Sequence, residues 1–246
     1  MESTSSSRVE LAAAGGDREV EEVLFDLSDE YRQMLNQGIR LSGESQEFFI
    51  HGRLQSLASR MHADVTVRRV LDFGCGIGTA TGHLAERFPN AEVIGVDTSA
   101  NALDYAQEHY GSDRVRFRGL AELTQEDDFD LCYVNGVFHH IEPASRVGAV
   151  QNIHRALRSG GRLALFENNP WNPGTRMVMS RIPFDRDAIT LSPPETKRLL
   201  RAGGFTQPAV SWSLFYFPRP LAFLRFTEHA LSHLPLGAQY CVLAAK

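Results

Sequence analysis

Three glycines and two aspartates form the most distinctive spacing in this sequence. Gly74, Gly76 and Gly78 follow an apolar run in the stretch LDFGCGIGTATGHL, and Asp72 lies just before them. Glycine has no Cβ, so such a loop can bring the main chain close to a ligand. Asp97 ends the next apolar run, where a carboxylate can accept both hydroxyls of a ribose. Because Asp72 would repel a pyrophosphate and attract a cation, the pattern favours a positively charged nucleoside over a dinucleotide; a merely tight turn between strand and helix is the alternative without a ligand.

Side chains that can handle protons follow two later apolar runs. His139 and His140 come after FDLCYVNGVF, and Glu167 ends RLALFE. A neutral histidine can take a proton from an acceptor hydroxyl, although packing would also explain one of this pair. Glu167 can bind an ammonium group, act as a base or cap backbone amides. The sequence contains no Cys/His cluster with metal-ligand spacing, so we predict no metal site.

Alternating strand and helix patterns separate these residues. Short apolar runs predict strands, and apolar residues at helical spacing predict the helices between them. This alternation indicates a mostly parallel sheet with helices on both faces, which binds ligands at the carboxyl ends of its strands. Strands are predicted at 69–73, 92–96, 114–117, 129–134, 162–166, 209–217 and 239–244, and helices at 77–88, 99–110, 143–157, 194–202 and 221–231.

Composition limits the class of protein. The 246 residues are 43% hydrophobic with a formal net charge of −5, which suits one globular domain and lacks the basic face expected of a nucleic-acid binder. Three isolated cysteines favour a reduced compartment. No signal-peptide core or membrane-length apolar run is present, so we expect a cytoplasmic protein without stable membrane insertion. Residues 1–20 are predicted to be a mobile tail, 21–246 one domain, and 21–63 its helical cap.

The segment 168–193 is long for a connection between a strand and a helix, which predicts a lid-like insertion. Its Asn168, Asn169 and Trp171, together with Tyr31 from the cap, are candidate substrate contacts. Its arginines are expected either to meet an anionic group of the substrate or to pair at the surface with Asp185 and Asp187. A further stretch, 214–226, is rich in aromatic residues; it is expected mainly in the core, with an acceptor pocket wall or a membrane-facing surface as alternatives.

Three stretches carry a family resemblance. VLDFGCGIGTATGHLAERFPNAEVIGVDTSANALDYAQEH resembles the first motif region of class I S-adenosylmethionine-dependent methyltransferases. FDLCYVNGVFHHI resembles the fourth-strand motif of this family, and LRSGGRLALFE resembles the turn before its fifth strand, with RSGG as the turn, and the fifth strand itself. The resemblance is close over 65–167. It implies a Rossmann-like sheet of seven strands, the last of them antiparallel, with S-adenosylmethionine across the carboxyl edge.

The resemblance also implies which residues bind the cofactor. One departure from the family concerns the position after the third strand, where members often have Asp-Ala and this chain has Leu120-Ala121. The adenine contact would then pass to Glu122 or to backbone. The implied contacts are Asp72, Gly74, Cys75 and Gly76 at the methionine end, Asp97 at the ribose, Thr98, Ala121 and Glu122 near the adenine, and Asn135 and Gly136 beneath the sulfonium.

The implied activity is transfer of a methyl group to a small-molecule acceptor, at oxygen or nitrogen rather than carbon, by in-line displacement. His139, His140 and Glu167 are the candidate catalytic residues. Such an enzyme would serve small-molecule biosynthesis, with no nucleic-acid partner; a homodimer is left open. Two alternatives remain: a member repurposed for another reaction, and a non-catalytic partner subunit. Asp72 before the glycines disfavours a nicotinamide-dependent dehydrogenase.

Overall fold

The computed structural model describes residues 37–61, 66–124, 128–186, 188–206 and 209–246. Within them, seven strands form one sheet in the order β3-β2-β1-β4-β5-β7-β6. The first six are parallel to one another, and β7 runs antiparallel to both of its neighbours, β5 and β6. The predicted α/β fold with an antiparallel last strand is therefore confirmed. The strands are β1 (Arg69–Phe73), β2 (Glu92–Asp97), β3 (Val115–Gly119), β4 (Phe129–Asn135), β5 (Leu157–Asn168), β6 (Val210–Leu214) and β7 (Gln239–Ala245).

Helices cover both faces of the sheet. Their starts follow local capping chemistry: Ser99 Oγ accepts from Ala102 N at 3.2 Å before α3, and the backbone N–H of Ser192 donates to Glu195 at 2.7 Å before α6. The α-helices are α1 (Gln46–Ala58), α2 (Thr79–Arg87), α3 (Ala100–Tyr110), α4 (Arg146–Ala156), α5 (Pro173–Met179), α6 (Pro193–Ala202) and α7 (Glu228–Leu231), with 3₁₀ turns at Arg40–Ser42, Leu120–Glu122, Pro183–Asp185 and Arg219–Thr227.

The alternation of side chains along each strand divides the core into two layers. Leu71 and Val134 belong to the layer beneath α4 and α6, while Val70 and Leu131 belong to the layer beneath α1 and α2. Side chains of this kind contribute about 1.5–3 kcal/mol each when they are fully buried. The two layers therefore fix the sheet from both sides, and α1 is the described part of the predicted helical cap. None of the described helices has the length and hydropathy needed to span a bilayer.

β5 begins earlier than predicted. The sequence Arg158–Gly161 was expected to be a turn before the strand, but it lies inside β5 as an irregular segment. Leu157 already pairs with Phe129, and the register shifts before pairing resumes. Gly160 has φ +76° and its N–H donates to Lys246 O at 3.1 Å. The glycines thus form a bulge, which the sequence pattern alone cannot distinguish from a turn.

Asp130 ties together the amino ends of the central strands. Its Oδ2 accepts from Arg68 N and Arg69 N at 2.7 and 2.8 Å, and its Oδ1 accepts from Arg158 Nε at 2.5 Å. Burial alone would raise the pKa of Asp130, but the hydrogen bonds from Arg158 and from the two amides hold it below its ordinary value. The native state therefore favours the ionised carboxylate.

We expect Asp130→Asn to lower the free energy of unfolding by about 1–3 kcal/mol at pH 7, because buried donors lose a charged acceptor. A depressed carboxyl pKa gives stability above the unfolded pKa that is lost as the pH falls through the folded value. The difference between the two proteins should therefore shrink below about pH 4. Urea unfolding of both proteins from pH 7 to below about pH 4 measures this difference, with exposed Asp104→Asn as the control. An equal loss in both variants would contradict the role of this carboxylate.

Candidate active site

A cavity of about 1230 Å³ opens at the carboxyl edge of the sheet, where β1 and β4 lie side by side. The strand order reverses between these two strands, which is where open α/β sheets bind ligands. The segments after β1, β2 and β4 line the cavity together with residues of the N-terminal region, the lid segment and the segment after β6. The predicted site residues that line it are Gly74, Gly76, Asp97, Thr98, Asn135, Gly136, His139, His140 and Asn168.

The glycine loop turns sharply because its backbone is bonded to the neighbouring strand. Gly74 N and Cys75 N both donate to Val96 O, at 2.8 and 3.0 Å. Gly74 and Gly76 have φ of +73° and +51°, which residues with a Cβ rarely adopt. A Cβ on Gly74 would lie 2.4 Å from Val137 Cγ2, whereas a Cβ on Gly76 would meet no atom within 4 Å. Gly76 therefore leaves its main chain open to the cavity.

The Asp97 carboxylate connects the loops after β1 and β2. Its Oδ2 accepts from Gly76 N at 2.8 Å, and its Oδ1 accepts from Thr98 N and Ser99 N at 2.8 and 3.1 Å. These backbone donors fix the orientation of the side chain, which stays partly exposed on the cavity wall. Carboxylate oxygens have lone pairs for further donors, so Asp97 can also accept from a ligand.

Asp72 lies behind the glycine loop rather than on the cavity wall. Its side chain is 2% exposed, and its Oδ2 accepts from Thr81 Oγ1 at 2.6 Å. Burial raises the pKa of Asp72 to about 7; the bond from Thr81 opposes the rise, and the nearby charge of Asp97 adds to it. Cys75 is buried as well. The expectation that Asp72 and Cys75 line the cavity is corrected, because both support the loop from the side facing the core.

After β3, Leu120 lines the cavity in place of the two predicted residues. Ala121 and Glu122 are exposed and lie outside the cavity wall. The Glu122 carboxylate is turned back to the 3₁₀ turn, where its Oε1 accepts from Gly119 N at 2.8 Å. The cavity wall at this point is therefore apolar.

Asn135 and Gly136 follow β4 on the cavity wall. Asn135 Oδ1 is buried and has no hydrogen-bond partner among the described residues. A buried acceptor left in this state costs about 1–3 kcal/mol, so a ligand that brings a donor would recover that energy. Gly136 has φ +67°, and its N–H donates to Phe166 O at 3.0 Å, which turns the chain toward His139.

His139 is held between two carboxylates. It is 4% exposed, its Nδ1 lies 2.5 Å from Glu167 Oε2, and its Nε2 lies 3.4 Å from Asp185 Oδ1. Burial would lower the pKa of His139, but Glu167 and then Asp185 outweigh it and raise the pKa to about 10. Glu167 also accepts from Phe138 N at 2.8 Å and is 1% exposed. The expectation that Glu167 faces the crevice is therefore corrected: it lies behind His139.

Asp185 joins the two histidines. His140 lines the cavity, and its Nε2 lies 3.3 Å from the same Asp185 Oδ1 that faces His139. Burial would raise the pKa of Asp185, but hydrogen bonds from His139 and His140 hold it at about 2. We call His139, His140 and Asp185 the histidine cluster. Sequence reasoning considered Asp185 only as one possible surface partner of the lid arginines; the available signal is an acidic residue directly after the apolar run 182–184.

The lid segment is fastened to the chain that follows β4. Ile189 N donates to His139 O at 3.1 Å, and Arg146 Nη2 donates to Ile189 O at 2.6 Å. Arg146 Nε also donates to Ile141 O at 2.8 Å. These backbone contacts hold the 3₁₀ turn Pro183–Asp185 against the histidines, so the position of Asp185 depends on the lid.

The predicted substrate contacts have different positions. Tyr31 lies outside the described residues. Asn168 lines the cavity, and its Oδ1 accepts from Gln239 Nε2 at 3.2 Å. Asn169 is buried, and its Nδ2 donates to Pro235 O and Gly237 O, so it holds the chain before β7. Trp171 is 46% exposed and outside this cavity.

Arg53 is a cavity residue that sequence reasoning did not single out. It is 6% exposed; its Nε donates to Tyr133 Oη at 2.9 Å and its Nη1 to Gln239 Oε1 at 3.1 Å. Both of these partners are neutral. The available signal was an arginine on the apolar face of α1, beside the buried Ile50 and Leu54. A buried guanidinium at a cavity wall can bind a carboxylate in two-point fashion.

The far side of the cavity is apolar, and the aromatic stretch 214–226 supplies part of it. Phe215, Tyr216 and Phe217 line the cavity, as does Phe49 of α1. Further along the stretch, Phe223 and Phe226 are 70% and 82% exposed. The core interpretation is therefore wrong for the end of this stretch, and the first three aromatics fit the interpretation of a pocket wall.

The strand order, the antiparallel β7, the glycine loop and Asp97 together define the class I, S-adenosylmethionine-dependent methyltransferase fold. Residues 70–161 match a family model described as a methyltransferase domain. Residues 70–161 of the chain thus match a methyltransferase domain, and the sheet to which they belong has the fold of S-adenosylmethionine-dependent methyltransferases. The predicted resemblance is confirmed for the region that it covered.

Individual relatives agree with this class. A trans-aconitate 2-methyltransferase of Rhodopseudomonas palustris (strain BisB5) is 31% identical over 118 residues, which are 48% of this chain and 45% of the relative. The chain thus spans about half the length of the curated relatives it matches. A SAM-dependent methyltransferase of Archaeoglobus fulgidus superposes with TM-score 0.62 at 17% identity, covering 82% of this chain and 95% of that one. A structure of PigF with SAH also has TM-score 0.62, at 18% identity and with 94% and 64% coverage.

Two glycine substitutions distinguish the role of the loop in stability from its role in leaving space for a ligand. We expect Gly74→Ala to destabilise the protein strongly, because a positive φ costs about 1–2 kcal/mol and the new Cβ overlaps Val137. Gly76→Ala carries only the conformational cost, but its methyl group enters the cavity. It should fold and lose affinity for S-adenosylhomocysteine by about tenfold or more, equivalent to about 1.4 kcal/mol.

Urea unfolding and titration calorimetry measure the two effects. Gly148→Ala is the matched control, because Gly148 is exposed on α4 and a Cβ there would meet no atom within 4 Å. This control should keep wild-type affinity. Unchanged binding by Gly76→Ala would contradict the assignment of the loop to the ligand.

Proposed function

We propose that this protein transfers a methyl group from S-adenosylmethionine to a small-molecule acceptor at an oxygen or nitrogen atom. The observation that carries the proposal is one continuous cavity that joins the glycine loop and Asp97 to the histidine cluster. Its volume of about 1230 Å³ exceeds the roughly 300–1,000 Å³ of most single-ligand pockets. There is room for a cofactor and an acceptor side by side.

Three features of the cavity fit the cofactor. Gly76 presents open main chain where a Cβ would protrude, Asp97 offers partly exposed carboxylate oxygens, and Asn135 Oδ1 has no donor among the described residues. We assign Asp97 to the ribose hydroxyls, Leu120 and Thr98 to the adenine side, and Asn135 with Gly136 to the methionine side. When bound, the cofactor supplies a methyl group on a positively charged sulfur.

The chain itself contributes positioning and exclusion of water. Lid residues and the aromatic residues after β6 enclose the far side of the cavity, so an apolar acceptor body would be held there out of water. An oxygen or nitrogen acceptor loses a proton when it is methylated. We assign the acceptance of this proton to the histidine cluster on the cavity wall. His140 lies on the wall, and Glu167 lies behind His139.

Arg53 favours an anionic group in the cavity. The two side chains that it contacts are neutral, and the guanidinium remains charged: burial works to lower its pKa, but Tyr133, Tyr216 and Asp72 outweigh this effect. We assign Arg53 to a carboxylate, either that of the cofactor or one on the acceptor. The named activity of the relatives, methylation of trans-aconitate, supports an acceptor that carries carboxylates.

Calorimetry and a transfer assay test the proposal in sequence. Wild-type protein should bind S-adenosylmethionine and S-adenosylhomocysteine, and Asp97→Ala should weaken both by about 1–3 kcal/mol, or roughly 5–150-fold. Transfer of a labelled methyl group to extracts of the producing cell, followed by mass analysis, identifies the acceptor. Absence of binding would point to a non-catalytic subunit, and binding without transfer to a repurposed enzyme. Either outcome would overturn the proposal.

The buried Asp72 should make cofactor choice depend on pH. Its pKa of about 7 means that the carboxylate becomes charged between about pH 6 and 8. A negative charge there attracts the sulfonium, so affinity for S-adenosylmethionine relative to S-adenosylhomocysteine should rise about three- to tenfold over this range. Both ligands carry the same amino group, so its titration changes both affinities equally and does not change their ratio.

Calorimetry at several pH values gives this ratio. Asp72→Asn should show no rise, while exposed Asp104→Asn should behave as wild type. A ratio that stays constant with pH in the wild type would show that Asp72 does not sense the charge of the ligand.

A further inference from the structure

The histidine cluster has the composition of a transition-metal site. His139, His140 and Asp185 offer one ligand atom each, and these atoms lie within 4.8 Å of one another. All three residues line the cavity. Two imidazoles with one carboxylate suit zinc, iron(II) and neighbouring divalent ions, whereas calcium and magnesium prefer sites made only of oxygen.

The contacts within the cluster are long for charge-assisted hydrogen bonds, and their lengths also match the separation of two ligands around one ion. Asp185 Oδ1 lies 3.4 Å from His139 Nε2 and 3.3 Å from His140 Nε2. Charge-assisted hydrogen bonds between such groups are usually about 2.7–2.9 Å long. In contrast, two ligands of a tetrahedral ion with bonds of about 2.0–2.1 Å lie about 3.3 Å apart. The carboxylate oxygen thus lies about as far from each histidine nitrogen as two ligands of one tetrahedral ion lie from each other.

Glu167 supplies the outer support that metal-binding histidines need. Its Oε2 is 2.5 Å from His139 Nδ1, and its Oε1 accepts from Phe138 N at 2.8 Å. A carboxylate in this position fixes the proton on Nδ1, so an ion that binds at Nε2 displaces only the second proton of the imidazolium. Because Glu167 is 1% exposed, water does not compete for this contact.

We propose that His139, His140 and Asp185 bind one divalent first-row transition metal, with its remaining positions open to the cavity. The lid delivers the carboxylate, so the site is complete only when the turn Pro183–Asp185 lies against the histidines. Binding of the ion does not depend on the proposed function. A role of the ion in methyl transfer rests on the proposed function. In methyl transfer, an acceptor hydroxyl bound to the ion would release its proton to solvent more readily, and the oxygen would then be the nucleophile.

Metal content is measured on the full chain without cofactor. Protein stripped with a chelator is dialysed against Zn²⁺, and bound zinc is counted by mass spectrometry; Co²⁺ replaces it for visible spectroscopy. We expect one ion per chain and the intense absorption of four- or five-coordinate Co²⁺. His140→Ala and Asp185→Asn should each weaken binding at least tenfold, and Glu167→Gln by about 10–100-fold.

His83→Ala is the matched control, because His83 pairs with exposed Glu86 at 3.1 Å and lies outside the cavity. It should bind metal as wild type does. Wild-type protein that binds no ion, or that binds equally well when His140 and Asp185 are both replaced, overturns the proposal and leaves a hydrogen-bonded cluster. Far-ultraviolet circular dichroism verifies that each variant is folded. Metal binding without cofactor binding would refute only the proposed function, and the reverse only the metal site.

Discussion

The site depends on the path of the main chain after β1. The backbone must cross the end of β2 within a few residues, and it does so with φ of +73°, +51° and +80° at Gly74, Gly76 and Gly78. Hydrogen bonds to Val96 O and to the Asp97 carboxylate hold this path. A Cβ at Gly78 would lie 2.8 Å from Ala106, so the same glycines allow α2 and α3 to pack closely. One loop thereby sets the cavity wall and the packing behind it.

Electrostatic interactions organise the part of the cavity wall that holds the histidine cluster. Glu167, at the end of β5, and Asp185, on the lid, are both buried carboxylates that meet at His139. Buried charges are tolerated only where opposite charges or strong donors surround them. Departure of the lid would remove one of the two carboxylates that stabilise the buried imidazole of His139. The end of β5, the loop after β4 and the lid therefore meet in one charged cluster at the cavity wall.

Local patterns predicted the sheet and several residues of the cavity wall after β1, β2 and β4, but not the residues that arrive from distant segments. β1 was predicted with its observed bounds because an apolar run ends at a glycine loop there. Asp185 and Arg53 could not be assigned, since only the folded chain brings a lid turn and an N-terminal helix to the same cavity. Asn169 looked like a substrate contact because an amide in a loop gives no sign that backbone carbonyls already satisfy it. Glu122 was misjudged in a similar way, because the sequence does not show that its carboxylate already accepts from the backbone N–H of Gly119.

The insertion of β7 between β5 and β6 has a consequence for synthesis of the protein. In the described sheet, β6 pairs only with β7, which follows it in the chain. Until Gln239–Ala245 has been synthesised, β6 has no partner and β5 presents unpaired backbone N–H and C=O groups along 162–168. The edge of the strand that carries Glu167 thus stays unpaired until the last strand of the sheet is available.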